Sequence, residues 1–121
     1  MDIVISAGSQ EPIYSQIYSQ ISSQIMNGSI TGGTRLPTIR NVAQELRISV
    51  IPVKRAWEEL DRNGLIKTIP GKGTFAAELN GNAISEIKSR KAETLVLQMC
   101  RQAKESGISA DELVSLIRKF Y

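Results

Sequence analysis

Apolar residues recur every third or fourth position along most of this chain, and the breaks in that rhythm divide it into elements. Pro12 opens a segment in which Ile13, Ile17, Ile21 and Ile25 fall every fourth position with Tyr14 and Tyr18 beside them, predicting a helix with one buried stripe that Gly28 ends. A loop with Gly32 and Gly33 leads to Leu36-Pro37-Thr38, where Thr38 can cap a short helix carrying Ile39, Val42, Ala43 and Leu46 inward. After a very short turn, Ser49 can cap a third helix running to about Asn63, with Val53, Ala56, Trp57 and Leu60 on its apolar face. Pro52 falls in the first turn of that helix, where an N–H has no intrahelical partner, so it does not break the assignment. It leaves Ser49 only the neighbouring Ile51 N–H to accept from. Gly64 closes the helix, and Leu65 to Ile69 and Thr74 to Ala77 read as two short strands joined by Pro70-Gly71-Lys72-Gly73, a β-hairpin.

The clearest break follows at Leu79-Asn80-Gly81-Asn82, a polar turn cluster that divides the chain into residues 1–79 and 80–121. Beyond it, Ile84, Ile87, Lys91, Leu95, Met99 and Ala103 keep helical spacing until near Gly107. Ser109 and Glu112 then form an S-x-x-E capping pattern that opens a last helix with Leu113, Leu116, Ile117 and Phe120. The expected fold class is mainly α with a small β-hairpin: three helices and a hairpin in the order of a winged helix-turn-helix, then a C-terminal two-helix tail. Two short amphipathic helices have little within one subunit to cover their apolar stripes, so the tail is expected to make a homodimer.

Composition narrows the chemistry. The 121 residues contain no histidine and one cysteine, Cys100, which removes most zinc sites and most nucleophile-plus-histidine arrangements. No enzyme activity, cofactor or metal is expected. The lone cysteine cannot form an internal disulfide and reads as a small buried apolar residue. No apolar run reaches the roughly 18 residues of a membrane helix, and a cytoplasmic location is expected. Gly71-Lys72-Gly73-Thr74 fails as a phosphate-binding loop, because Ile66 occupies the first glycine position and Gly73 follows the lysine.

The net charge of +3 is unevenly placed. From residue 35 to 55 the chain holds Arg35, Arg40, Arg47, Lys54 and Arg55 against Glu45 alone, five cations less one anion or +4, while Glu58, Glu59 and Asp61 gather at the far end of the third helix. The N-terminal half of the helix that enters the major groove in this architecture is therefore its positive half, suited to phosphates. Lys72, between two glycines at the hairpin turn, allows close approach to a minor groove or phosphate. Arg47 can instead end the second helix, and Arg55 can pair with Glu58 or Glu59 along its own helix. Tyr14, Tyr18 and Trp57 sit at core spacing and are read as packing residues.

Five blocks carry a more specific signal: Pro12-Ile13-Tyr14-Ser15-Gln16-Ile17, Leu36-Pro37-Thr38-Ile39-Arg40, Val53-Lys54-Arg55-Ala56-Trp57-Glu58-Glu59-Leu60, Gly64-Leu65-Ile66 and Gly71-Lys72-Gly73-Thr74-Phe75. In this order they resemble the DNA-binding domain of the GntR family, over about Glu11 to Ala77. That resemblance implies bacterial transcription regulation, usually repression relieved by a small-molecule effector, which nothing in the sequence identifies. It implies DNA contacts from Arg40, from Ser49, Val50, Ile51, Pro52 and Lys54 at the start of the recognition helix, and from Gly71 and Lys72 at the wing tip. The chain departs from the family pattern at Gly32, at Arg47, where glycine is usual, and at Pro52, where a polar residue is usual; Val50 and Ile51 offer thymine-methyl contacts instead. The short tail resembles that of the YtrA-like subgroup, which implies dimerisation and control of an operon that often includes ABC transporter genes. The partner expected is a double-stranded DNA operator. A different reading is a winged-helix protein–protein interaction module without specific DNA binding, which the basic residues at the third helix argue against.

Overall fold

Five helices and one hairpin follow one another as α1 (Ile13–Met26), α2 (Ile39–Leu46), α3 (Val50–Arg62), β1 (Ile66–Ile69), β2 (Gly73–Ala76), α4 (Gly81–Glu105) and α5 (Ala110–Phe120) in a computed structural model that describes residues 1–121. The mainly helical class with one antiparallel hairpin is the one the hydrophobic pattern predicts. Two compact units result, Met1–Gly81 and Asn82–Tyr121.

In the first unit α3 packs on α1, α2 and β1. Its apolar face, Val53, Ala56, Trp57 and Leu60, is buried against Ile17, Ile21 and Ile25 of α1, Val42 and Ala43 of α2, and Leu65, Ile66 and Ala76 around the hairpin. At roughly 1.5–3 kcal/mol per fully buried large aliphatic side chain, these contacts are the main favourable term holding the unit together. Ile13, expected to head the α1 stripe, is instead 37% exposed. It is the first residue of its helix, and a helical side chain leans toward the N-terminus, past the end of the core.

Beside the apolar stripe of α1 runs a polar one. Gln16 is buried and Gln20 and Gln24 follow it at helical spacing, and together they grip an extended segment before α1. Gln16 Oε1 accepts from the Ser6 N–H at 2.8 Å and its Nε2 donates to the Ser6 and Glu11 carbonyls. Gln20 bonds both the N–H and the carbonyl of Val4, at 2.8 and 2.6 Å, and Gln24 Nε2 donates to the Asp2 carbonyl at 2.9 Å. Residues 2, 4 and 6 present their backbone to one side, as in a strand, and the three amides on α1 stand where a neighbouring strand would be.

Three helices end the same way. Leu65 N–H returns to the Leu60 carbonyl, Ile108 N–H to Ala103 and Ile48 N–H to Ala43, each after a residue in the left-handed region. That residue is Gly64, Gly107 and, for α2, Arg47 with φ 56. The helix starts differ: Thr38 Oγ1 accepts from Asn41 N–H at 3.1 Å, whereas Ser49 makes no capping bond. With Pro52 lacking an N–H, the usual acceptor geometry at α3 has lost its donor.

In the hairpin, Ile66 pairs with Ala76, Lys67 with Phe75, Thr68 with Thr74 and Ile69 with Gly73. Gly73, expected in the turn, is thus the first residue of β2, and the turn is Ile69-Pro70-Gly71-Lys72, closed by Lys72 N–H to the Ile69 carbonyl at 3.0 Å. Pro70 at the second position and Gly71 at the third, with φ 78, meet the demands of a type II turn. The segment expected as a loop before α2 adds a further rung: Gly33 N–H to Ala76, Ala76 N–H to Thr34 and Leu36 N–H to Thr74 carbonyls, all 2.8 Å, with Arg35 bridging Phe75.

The second unit is the pair α4 and α5. Ser109 Oγ accepts from Glu112 N–H at 3.2 Å, the cap that the S-x-x-E pattern predicts. Of its residues only Ala103 is buried, and Leu95, Val96, Leu97, Val114, Leu116, Ile117 and Phe120 are all exposed in the single chain.

Candidate nucleic-acid interface

The turn between α2 and α3 is residues 47–49, so α3 starts abruptly after Arg47 turns the chain. Because Val53, Ala56, Trp57 and Leu60 face the core, the opposite face of α3 is presented outward. At about 100° per residue Ile51 lies opposite the middle of the buried face, with Lys54 about 60° to one side and Arg55 about 40° to the other. Ile51 is 74% exposed, and Val50, Lys54 and Arg55 are exposed with it. Ser49 is exposed at the start of the helix with its hydroxyl uncommitted to a cap, and Pro52 is half-buried toward the core.

These residues form one cluster on the first turn and a half of α3. Arg40 is separate, exposed at the second position of α2, two residues after the Thr38 cap. Gly71 and Lys72 stand on the exposed hairpin turn. The structure therefore divides the expected site residues among three elements, each presenting a cation or unpaired N–H groups: the start of α2, the start of α3 and the wing tip. The acidic end of α3 is partly neutralised within itself, since Glu59 Oε1 pairs with Arg62 at 2.8 Å.

Of the other basic residues, Arg47 ends α2 through its backbone. Arg55 does not pair along its helix with Glu58 or Glu59; its guanidinium lies 3.7 Å from the centroid of the Tyr14 ring on α1. Arg35 packs across the base of the wing, where a Cβ on Gly73 would stand 2.9 Å from its Nε. Neither position was legible from spacing, because each depends on a contact between distant parts of the chain. Tyr18 accepts from Asn63 Nδ2 at 2.8 Å, tying α1 to the end of α3, and Trp57 is buried, so both are packing residues as expected. No three His, Cys, Asp or Glu side chains are grouped to hold a metal ion, and no helix is long and apolar enough to cross a membrane.

Residues 13–76, from the first residue of α1 to the last of β2, match the family described as bacterial regulatory proteins, gntR family. The HTH-type transcriptional repressor YtrA of Bacillus subtilis (strain 168) is 29% identical over 117 residues, which cover 97% of this chain and 90% of that relative. The crystal structure of a transcriptional antiterminator from Listeria monocytogenes EGD-e is similar with a TM-score of 0.74 at 28% identity, covering 99% of this chain and 90% of that one. The DNA-binding domain of AraR, solved in complex with operator ORE1, is similar with a TM-score of 0.52 at 28% identity, over 64% of this chain and 94% of that one. The three helices, the hairpin and the exposed α3 start thus lie inside one matched segment, and a YtrA relative aligns through the two-helix tail as well: the chain belongs to the gntR family of bacterial transcription regulators.

Proposed function

We propose that this chain is a sequence-specific repressor of its own operon, one that includes ABC transporter genes, acting in the cytoplasm as a homodimer on a double-stranded DNA operator. The observation that carries the reading is the start of α3, where Ser49, Val50, Ile51 and Lys54 are exposed together on a helix whose other face is locked in the core. Residues of about 50–62 enter the major groove. There Lys54 reaches a base edge or phosphate, and Val50 and Ile51 meet thymine methyls in place of the polar contact that Pro52 lacks. Arg40 holds a phosphate at the start of α2, and Gly71 and Lys72 of the wing, residues 70–73, sit on the minor groove or phosphates. The tail supplies the dimer, which suits an operator of two half-sites one helical turn apart.

Affinity for the DNA upstream of the chain's own operon is expected to exceed that for a scrambled duplex of the same composition by about 10³ or more at physiological salt. Equal affinities reject the reading. Lys54→Ala relaxes specificity, whereas Lys72→Ala weakens binding to both duplexes and lowers the salt slope.

One observation favours a second reading, a protein–protein interaction module. The start of α3 is apolar as well as basic, and Ile51 is the most outward of its large side chains. The same pair of duplexes decides, because such a module binds neither with sequence preference.

A further inference from the structure

A cation with unspent donors stands beside the face assigned to DNA. The Arg55 guanidinium is stacked on the Tyr14 ring at 3.7 Å, and no carboxylate pairs with it: Glu59 is taken by Arg62. A guanidinium stacked on a ring keeps its in-plane N–H groups available, and the ring attracts the charge without neutralising it. We propose that Arg55 is a phosphate contact on the α1 side of the recognition helix, and that Tyr14 is the residue that positions it. The inference rests on α3 being the groove-entering helix.

The geometry of a helix in a groove supports the assignment. The major groove is about 12 Å wide and a helix with its side chains about 10–12 Å across, so the outward centre of the helix meets base edges while its flanks meet the two walls of phosphates. Ile51 holds the centre, Lys54 one flank and Arg55 the other. An arginine on a bare surface loses rotamer entropy when a phosphate fixes it. Here the ring of Tyr14 has already restricted the side chain before DNA arrives. Tyr14 is on the first full turn of α1, which packs on α3, so the ring is set by the core rather than by the ligand.

The test measures affinity against salt for a random-sequence duplex and for the chain's own upstream DNA, with the unmodified protein, Arg55→Gln, Arg55→Lys, Tyr14→Phe and Tyr14→Leu. Arg55→Gln is expected to weaken both duplexes by the same factor, about tenfold, and to reduce the slope of log K against log salt by about 0.9. Arg55→Lys keeps the slope. Tyr14→Phe, which keeps the ring, binds as the unmodified protein does; Tyr14→Leu weakens binding about threefold with the slope unchanged, because the charge remains but is no longer ordered. The proposal is overturned if Arg55→Gln lowers the thermal midpoint yet leaves both affinities and the slope untouched, which is the result for a staple between α1 and α3. It is also overturned if Tyr14→Leu binds both duplexes as the unmodified protein does, or if Tyr14→Phe weakens binding as much as Tyr14→Leu. Loss of the groove reading itself shows earlier and separately, as failure of the unmodified protein to prefer its upstream DNA.

Discussion

Arg47 holds a backbone conformation that disfavours every residue with a Cβ, and α2 ends on it where α3 and α4 end on glycine. Left-handed geometry costs an L-residue roughly 1–2 kcal/mol, part of which a glycine would give back through the greater freedom of its unfolded chain. Arg47→Gly is therefore expected to raise stability by about 0.5–1 kcal/mol, read as a higher denaturant midpoint, and to leave operator affinity within twofold, because the residue acts through its backbone. Thr38 and Ser49 make a sharper pair. Both stand at helix starts, but only Thr38 accepts a capping hydrogen bond. Thr38→Ala should cost about 1 kcal/mol. Ser49→Ala should change stability by less than about 0.5 kcal/mol while weakening operator binding, so the two alanine variants separate a structural hydroxyl from one left over for DNA.

At the scale of elements, the extended segment before α1 and the hairpin show how a few side chains set a whole segment's place. Gln16, Gln20 and Gln24 bond the backbone of residues 2–6, while the alternate residues Ile3 and Ile5 are half-buried. Gln20→Leu removes both bonds to Val4, each worth about 1 kcal/mol net, and hydrogen exchange at the Val4 amide should accelerate by more than tenfold while amides of α3 hold their protection. In the hairpin, Gly73 has φ 124, and a Cβ there would meet the Arg35 side chain. Gly73→Ala is expected to destabilise the first unit by about 1–3 kcal/mol, measured by thermal unfolding, and to weaken DNA binding through the displaced wing. The helical elements were legible because their signals are local: apolar spacing, a cap, a left-handed stop. The rung formed by residues 33–36 was not. It is short, contains a glycine and has no alternation, and it exists only because β2 offers an unpaired edge.

For the whole molecule, the tail carries the clearest expectation. Leu97 and Phe120 are 65% and 75% exposed in the single chain, on helices that bury only Ala103. Covering a Leu or Phe yields roughly 1.5–3 kcal/mol, so replacing both with lysine should shift the dimer dissociation constant upward by at least about a hundredfold at 1.4 kcal/mol per decade. Sedimentation should then show a monomer whose affinity falls for a two-half-site operator and not for a single half-site. A variant that still sediments as a dimer at the same concentration would reject the tail as the dimerising part.

By itself the sequence determined the order and ends of the helices, the hairpin, the buried face of α3 and the exposed basic start of that helix. Each of these follows from neighbours within a turn or two, where 3.6-residue spacing and capping chemistry act. Tertiary structure alone decided that Ile13 lies beyond the core, that glutamines hold the first strand-like segment, that Arg35 closes on Gly73 and that Arg55 stacks on Tyr14. In those cases the local pattern allowed several partners. Arg55 had two carboxylates within reach on its own helix, and it was the packing of α1 against α3 that put an aromatic ring under it instead.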